Sequence, residues 1–251
     1  MIKNWKAYAV EFLMLFTAVT LGFFAENIRE HQEEKAKEIQ FLQNVHYDLE
    51  RDYTDAQLVI DFNLEKQKLA DSVVHEFKSG RYLKEPADMY YFLKGLSIRK
   101  MFEHSSSGFA QLKNAGGLRM IEDKSIIKQI LLIENRLAMI DRLQDIMDEN
   151  LLLYREKFSI VADAETVHEM NNKQIPGTFT DPKLSLRRFP KPTNPNPFLV
   201  AGNKEMNEVV NLIVNVLNTT RYINNHLLSL KDEIKKLDSE IIDKYGSKFE
   251  E

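Results

Sequence analysis

Residues 126–161 read IIKQILLIENRLAMIDRLQDIMDENLLLYREKFSIV, and the spacing of their apolar side chains decides the fold class. The recurring positions alternate in steps of four and three residues, with one polar member, and they are Ile126, Ile130, Ile133, Leu137, Ile140, Gln144, Met147, Leu151, Tyr154, Phe158 and Val161. A sustained spacing of about 3.5 residues is typical of a seam along which helices pack. The stretch therefore predicts a long helix of a bundle or coiled coil.

Two further stretches carry similar patterns. The last part of the chain has a second seam at Val209, Ile213, Val216, Thr220, Ile223, Leu227, Leu230, Ile234, Leu237 and Ile241. The segment from Phe23 to Ser79 contains neither Gly nor Pro, so one helix can continue through it, and we expect a bend near Asp61–Asn63. With short helices near 86–103 and 106–115, the sequence predicts an all-α protein with an antiparallel helical bundle.

The composition excludes several classes of protein. Lys and Arg number 34 against 38 Asp and Glu, which is too balanced for a typical nucleic-acid-binding domain. Nine Gly and seven Pro are too few for the frequent turns of an all-β sandwich or barrel. The chain has no Cys, which excludes disulfides, thiol catalysis and Cys-ligated zinc.

The N-terminal segment Ala7–Ala25, AYAVEFLMLFTAVTLGFFA, contains a single charged residue, Glu11. A helix of this length rises about 28 Å, close to the hydrocarbon thickness of about 30 Å. A cleaved signal peptide or the core helix of a soluble protein are the alternatives, but no small-x-small cleavage site follows Phe23 and Phe24. We predict a retained single-pass anchor, with candidate residues Trp5, Glu11, Thr17, Thr20 and Gly22.

Glu11 allows two interpretations. A carboxylate in a membrane helix is a candidate for proton or ion handling. However, Glu11 lies only about one turn inside the apolar run, where it is closer to water than at the midplane. We favour an interfacial or oligomer-facing Glu11, hydrogen-bonded to Thr17 or Thr20 of a neighbouring helix.

The orientation of the anchor follows from its flanks. Lys3 and Lys6 precede the apolar run, and Arg29, Lys35 and Lys37 follow it. The two flanks therefore carry nearly equal numbers of basic residues. A short basic tail before a long apolar helix is nevertheless typical of a signal anchor. We predict a cytoplasmic tail and a periplasmic location for the bulk of the chain.

Four segments follow from these patterns: residues 1–25 as anchor, 26–165 as long helix and bundle, 166–203 as an irregular crossover, and 204–251 as the last bundle helix. The crossover is rich in Pro between residues 176 and 197, and its basic residues are Lys183, Arg187, Arg188 and Lys191. It is either a loop that contacts a partner or lipid, or a stiff connection laid along the bundle.

A search for chemistry finds no catalytic or metal-binding pattern. Glu165 and His168 form a single E-x-x-H, whereas a di-iron bundle needs two such pairs and two further Glu. Ser105–Ser107 lies outside any G-x-S-x-G motif, and Gly116-Gly117 lacks the rest of a phosphate-binding fingerprint. We expect no enzyme activity, no cofactor and no metal.

Two segments carry a resemblance, EFLMLFTAVTLGFFAENIRE at residues 11–30 and SGFAQLKNAGGLRMI at residues 107–121. They resemble an uncharacterised bacterial family of small single-pass, membrane-anchored helical proteins. Glu11 leads the span, and Asn27 and Glu30 follow it, as in that family. The resemblance implies a single-pass anchor that carries a helical domain, and it implies no activity. We expect that anchor to lie in a bacterial inner membrane.

The leading functional hypothesis is a non-enzymatic, membrane-anchored scaffold or accessory subunit that binds another membrane or envelope protein, or a second copy of itself. A ligand-sensing helical ectodomain is one alternative. An ion-coupled motor or transport accessory that uses Glu11 is another. Nucleic acid is not an expected partner.

Overall fold

The structure is a computed structural model that describes residues 5–105, 107–114, 116–176, 185–199 and 203–249. All of the regular secondary structure in these described residues is helical, and none of it is β-strand. This confirms the predicted all-α class. The helices are α1 (Trp5–Ser79), α2 (Ala87–Leu96), α3 (Ser107–Asn114), α4 (Lys124–Val161), α5 (Ala164–Asn172) and α6 (Asn203–Tyr245), and short 3₁₀ turns lie between some of them.

Helix α1 continues without interruption through Asp61–Asn63, where the sequence suggested a bend. The polar side chain of Asn63 has a buried partner instead, because its Nδ2 donates to Oδ1 of Asn224 at 2.8 Å. The helix ends at Gly80, whose φ of 66° is in the left-handed region that favours glycine.

The chain divides into two compact units, each assembled from separate stretches of sequence. The first unit comprises Met1–Asp48, Ser106–Ile127 and Asp238–Glu251. The second unit comprises Leu49–Ser105 and Lys128–Leu237. Three of the four unit boundaries fall within helices α1, α4 and α6, whereas the sequence predicted four consecutive segments.

The second unit contains a large apolar core. Its centre includes Leu93 and Tyr154, both fully buried, and the hydroxyl of Tyr154 donates to the carbonyl of Leu93 at 2.5 Å. The rings of Tyr90 and Phe198 stack with centroids 4.1 Å apart. Full burial of each large apolar side chain contributes about 1.5–3 kcal/mol, so this core is the main source of the unit's stability.

The predicted helix 86–103 is wrong at its C-terminal end, because α2 stops at Leu96. The backbone beyond it is bound by buried side chains of α1. The carbonyl of Ile98 accepts from Nζ of Lys66 at 2.8 Å, and the N–H of Ser105 donates to Oδ1 of Asp52 at 2.6 Å. These bonds pair two of the backbone groups that a continued helix would otherwise have paired.

The predicted irregular segment 166–203 is wrong at its start, because α5 extends to Asn172. Asp163 caps this helix, since its Oδ1 accepts from the N–H of Thr166 at 2.8 Å. An Asp at the N-cap followed by Glu165 in the first turn is a common helix start.

In the first unit, α3 and the C-terminal end of α6 are fixed to α1 by buried acids. Oε1 of Glu38, which is 2% exposed, accepts from the N–H of Glu122 and from the hydroxyl of Tyr245, each at 2.9 Å. Burial and the neighbouring Glu38 raise the pKa of Tyr245 above its usual range. Asp48 accepts from the N–H of Gly108 at 2.6 Å, at the start of α3.

Candidate interaction surface

The N-terminal part of α1 is the candidate membrane span. In the described part of the chain, α1 is the one helix long and apolar enough to cross a membrane, by length and composition. Its most apolar window has a mean hydropathy of 1.8, and none of that window is buried within the chain. Trp5, near its start, is 68% exposed.

The polar anchor residues are distributed along this segment. The hydroxyls of Thr17 and Thr20 donate to carbonyls one turn earlier, those of Leu13 and Phe16, each at 2.7 Å. Glu11 is exposed and forms no hydrogen bond or ion pair within the described residues. The expected bond from Glu11 to a threonine of a neighbouring helix therefore stays a prediction. Gly22 has open space around it, with no atom within 4 Å of an added Cβ.

The residues of the two predicted seams lie inside the chain. Each is at most 5% exposed, and they are Ile126, Ile130, Ile133, Leu137, Ile140, Ile213, Ile223, Leu227 and Ile234. Polar pairs flank the seams. In one pair, the guanidinium of Arg136 donates to both carboxylate oxygens of Glu233, at 3.2 and 2.6 Å. The seams therefore stabilise the fold, and their side chains are not exposed for contact with a partner.

The predicted basic cluster of the crossover does not form one site. Arg187 is exposed and borders a groove of about 840 Å³ beside α1. Lys191 instead forms an ion pair with Asp88, with Nζ 2.6 Å from Oδ1. Arg188 is partly buried, and its carbonyl accepts from the N–H of Ile175 at 2.9 Å. Lys183 lies outside the described residues.

Helix α4 carries a second apolar row that faces solvent. Its members recur every seven residues and are between 40% and 50% exposed: Leu132, Met139, Ile146, Leu153 and Ile160. We call these five residues the α4 stripe. Single exposed apolar residues are common on protein surfaces, but five in one row form a continuous apolar line along one side of the helix.

Helical geometry places the α4 stripe along one side of α4. Seven residues make nearly two turns, with a drift of about 20° per heptad, and the row extends over about 42 Å. Leu131 and Leu152 immediately precede members of the stripe and are 43% and 65% exposed. The α4 stripe and these two residues form a long apolar surface on the second unit, and no element among the described residues covers it.

Charged residues flank the α4 stripe in an ordered way. Lys128 and Arg142 lie on its exposed side in the first half of α4, and Glu149 and Glu156 lie on the same side in the second half. All four are exposed, and none forms an ion pair in the part of the chain that the structure describes. The heptad position that these four residues share is therefore basic at one end and acidic at the other, and Asp145 is exposed beside Ile146.

Other kinds of site have little support. Among the described residues, no group of three or more His, Asp or Glu side chains is placed to hold a metal ion. No family model, curated protein or solved structure matches this chain. The α4 stripe is accordingly the surface feature on which a function can be argued, and the resemblance to a bacterial membrane-anchored family stays a prediction.

Proposed function

We propose that this protein is a non-enzymatic, membrane-anchored helical scaffold that associates with a second copy of itself through the α4 stripe. The span in α1 would hold it in a bacterial inner membrane, with the short basic tail in the cytoplasm and the bulk in the periplasm. The observation that carries the proposal is the α4 stripe: five half-exposed apolar side chains at heptad spacing.

The side-chain contacts of the second unit support a rigid antiparallel bundle behind this surface. Along α4 and α6, Arg136 contacts Glu233, whereas Asn150, further along α4, contacts Thr219, which is earlier in α6, at 3.4 Å. A pairing order that runs in opposite directions on two helices is the signature of antiparallel packing. We infer a bundle whose buried seam fixes α4 and presents the α4 stripe outward.

The charges favour a second copy in antiparallel alignment. With a two-fold axis near Ile146, Met139 faces Leu153 of the second copy and Leu132 faces Ile160. The same axis places Arg142 of one copy opposite Glu149 of the second copy, because the basic half of one copy's flank meets the acidic half of the other's. A parallel alignment would instead place this flank of one copy against the opposite flank of the other, so Arg142 and Glu149 would not meet.

The energetics of such a contact are adequate for molecules confined to a membrane. A half-exposed Leu, Ile or Met contributes about 1 kcal/mol when it becomes fully buried. Summed over two copies of the stripe, this gives about 10 kcal/mol to set against the cost of association. Confinement by the anchor raises the effective concentration, which favours pairing without further contacts.

The absence of Cys in the chain allows a clean crosslinking experiment. Ile146→Cys in the full-length protein should give a disulfide-linked dimer under mild oxidation, because the proposed axis passes beside this residue. Arg51→Cys, at an exposed position on α1, is the matched control and should stay monomeric on denaturing gels.

A charge exchange tests the alignment. Arg142→Glu or Glu149→Arg alone should reduce the dimer fraction in mild detergent, measured by light scattering, and the double variant should restore it. A monomeric wild type, or a dimer fraction that these substitutions do not change, would overturn the proposal. Co-purification of another protein that is lost in Leu153→Glu would assign the α4 stripe to a heterologous membrane or envelope partner instead.

A further inference from the structure

A cleft of about 460 Å³ lies entirely within the second unit, where α4, α5 and the end of α2 meet. Its polar side includes Lys94, Arg155 and His168, and its apolar side includes Phe158, Ala162 and Val167. Among the described residues, no Asp or Glu lines it. The volume lies within the range of about 300–1,000 Å³ that is usual for small-molecule sites.

Lys94 and Arg155 are held in place without a carboxylate partner among the residues that the structure describes. Nε and Nη2 of Arg155 donate to the carbonyl of Ser97 at 3.2 and 2.6 Å, which fixes the guanidinium and leaves its Nη1 protons available. Nζ of Lys94 lies 4.7 Å from the centre of the Phe189 ring. Neither side chain forms an ion pair with any described residue.

The electrostatics of the cleft indicate an uncompensated positive charge. Burial lowers the pKa of Lys94, and the nearby charge of Arg155 lowers it further. An anion bound between these groups would relieve the repulsion and favour the charged lysine. Arginine is also suited to a carboxylate, because its planar N–H groups match both oxygens.

We propose that this cleft binds an organic carboxylate with an apolar body. The carboxylate lies between Arg155 and Lys94, and the apolar body packs against Phe158, Ala162 and Val167. Inorganic phosphate would satisfy the cations but would leave the apolar wall unused. This ligand site is independent of the scaffold role and of the α4 stripe, from which it differs in residues and chemistry.

The test uses the full-length protein in nanodiscs of neutral lipid, with octanoate as the probe and octanol as the neutral control of equal chain length. Octanoate should raise the melting temperature in a saturable way, and octanol should bind at least tenfold more weakly. Arg155→Gln and Lys94→Gln should each lower the octanoate affinity tenfold or more. Lys236→Gln, which removes an exposed charge elsewhere on α6, should not change it.

The source of the carboxylate is tested separately. Stabilisation by octanoate from water indicates a soluble ligand, whereas stabilisation only by oleate incorporated in the nanodisc indicates a membrane-borne one. Either result supports the site if Arg155→Gln abolishes the stabilisation by that carboxylate while circular dichroism shows unchanged helix content. Equal binding of octanol and octanoate, or binding that survives in both variants, would overturn the proposal.

Discussion

The side-chain amide of Gln144 forms two hydrogen bonds with the backbone of Phe102. Its Oε1 accepts from the N–H of Phe102 at 2.7 Å, and its Nε2 donates to the carbonyl of the same residue at 3.2 Å. Gln144 is 2% exposed and is the polar member of the α4 seam. It therefore fixes an irregular segment to the core, where an apolar side chain would leave two backbone groups unpaired.

Gln144→Leu should lower the free energy of unfolding by about 2–6 kcal/mol, because each of the two unpaired buried backbone groups costs about 1–3 kcal/mol. Urea denaturation followed by circular dichroism measures the change. Gln40→Leu, at an exposed position on α1, is the control and should change stability by less than about 0.5 kcal/mol. A similar small effect for Gln144→Leu would contradict the proposed role of the two bonds.

Lys66 should make the stability of the protein depend on pH above neutrality. It is 1% exposed, and burial together with the charges of Arg155 and Arg99 lowers its pKa to about 7, although Asp148 acts in the opposite direction. Above pH 7 the folded state releases this proton while the unfolded state retains it. The unfolded state then binds more protons, so stability rises with pH.

Between pH 7 and pH 9.5 the expected gain is about 3 kcal/mol, at 1.36 kcal/mol per pH unit. Below pH 7 both states are protonated at Lys66, and this contribution to the slope disappears. Lys66→Met should remove most of the rise when unfolding is measured in urea across this range. Lys68→Met, at an exposed position two residues away, should retain it, and an unchanged slope in Lys66→Met would refute the assignment.

Two adjacent residues of α4 should respond differently to the same substitution. Ile133 is 1% exposed and Leu132 is 48% exposed. Ile133→Asp buries an unpaired charge and should unfold the domain or lower stability by more than about 4 kcal/mol. Leu132→Asp should leave the melting temperature nearly unchanged but reduce the dimer fraction. Melting curves and light scattering on both variants distinguish the effects, and equal loss of stability would show that Leu132 belongs to the core.

The sequence predicted the helical class and the buried seams because heptad spacing is a strong local signal. It identified one apolar row on α4 as the seam, and that row is buried. It did not single out the second row at Leu132, Met139 and Ile146, which repeats only every seventh residue. The row itself was visible in the sequence, and a count of apolar residues at every seventh position would have found it.

Other errors had similar causes. The helix predicted through residue 103 follows from local composition, whereas the actual end at Leu96 depends on hydrogen bonds from the distant residues Lys66 and Gln144. The cleft at Lys94 and Arg155 combines residues about 60 positions apart, so no spacing rule indicates it. By contrast, the Asp163 cap of α5 was a local signal that a search for N-caps would detect.

Glu11 provides the test of how the anchor contributes to assembly. If it is an interfacial or oligomer-facing group, Glu11→Gln keeps its size and hydrogen-bonding capacity and should associate like the wild type. Glu11→Leu removes the polar group and should weaken association modestly, by about 0.6 kcal/mol for each interhelical bond lost. Energy transfer between labelled copies in liposomes, at a series of protein-to-lipid ratios and from pH 5 to pH 8, measures this difference. A change with pH in the wild type that is absent in Glu11→Gln would contradict this expectation and support proton handling by Glu11, because glutamine cannot titrate.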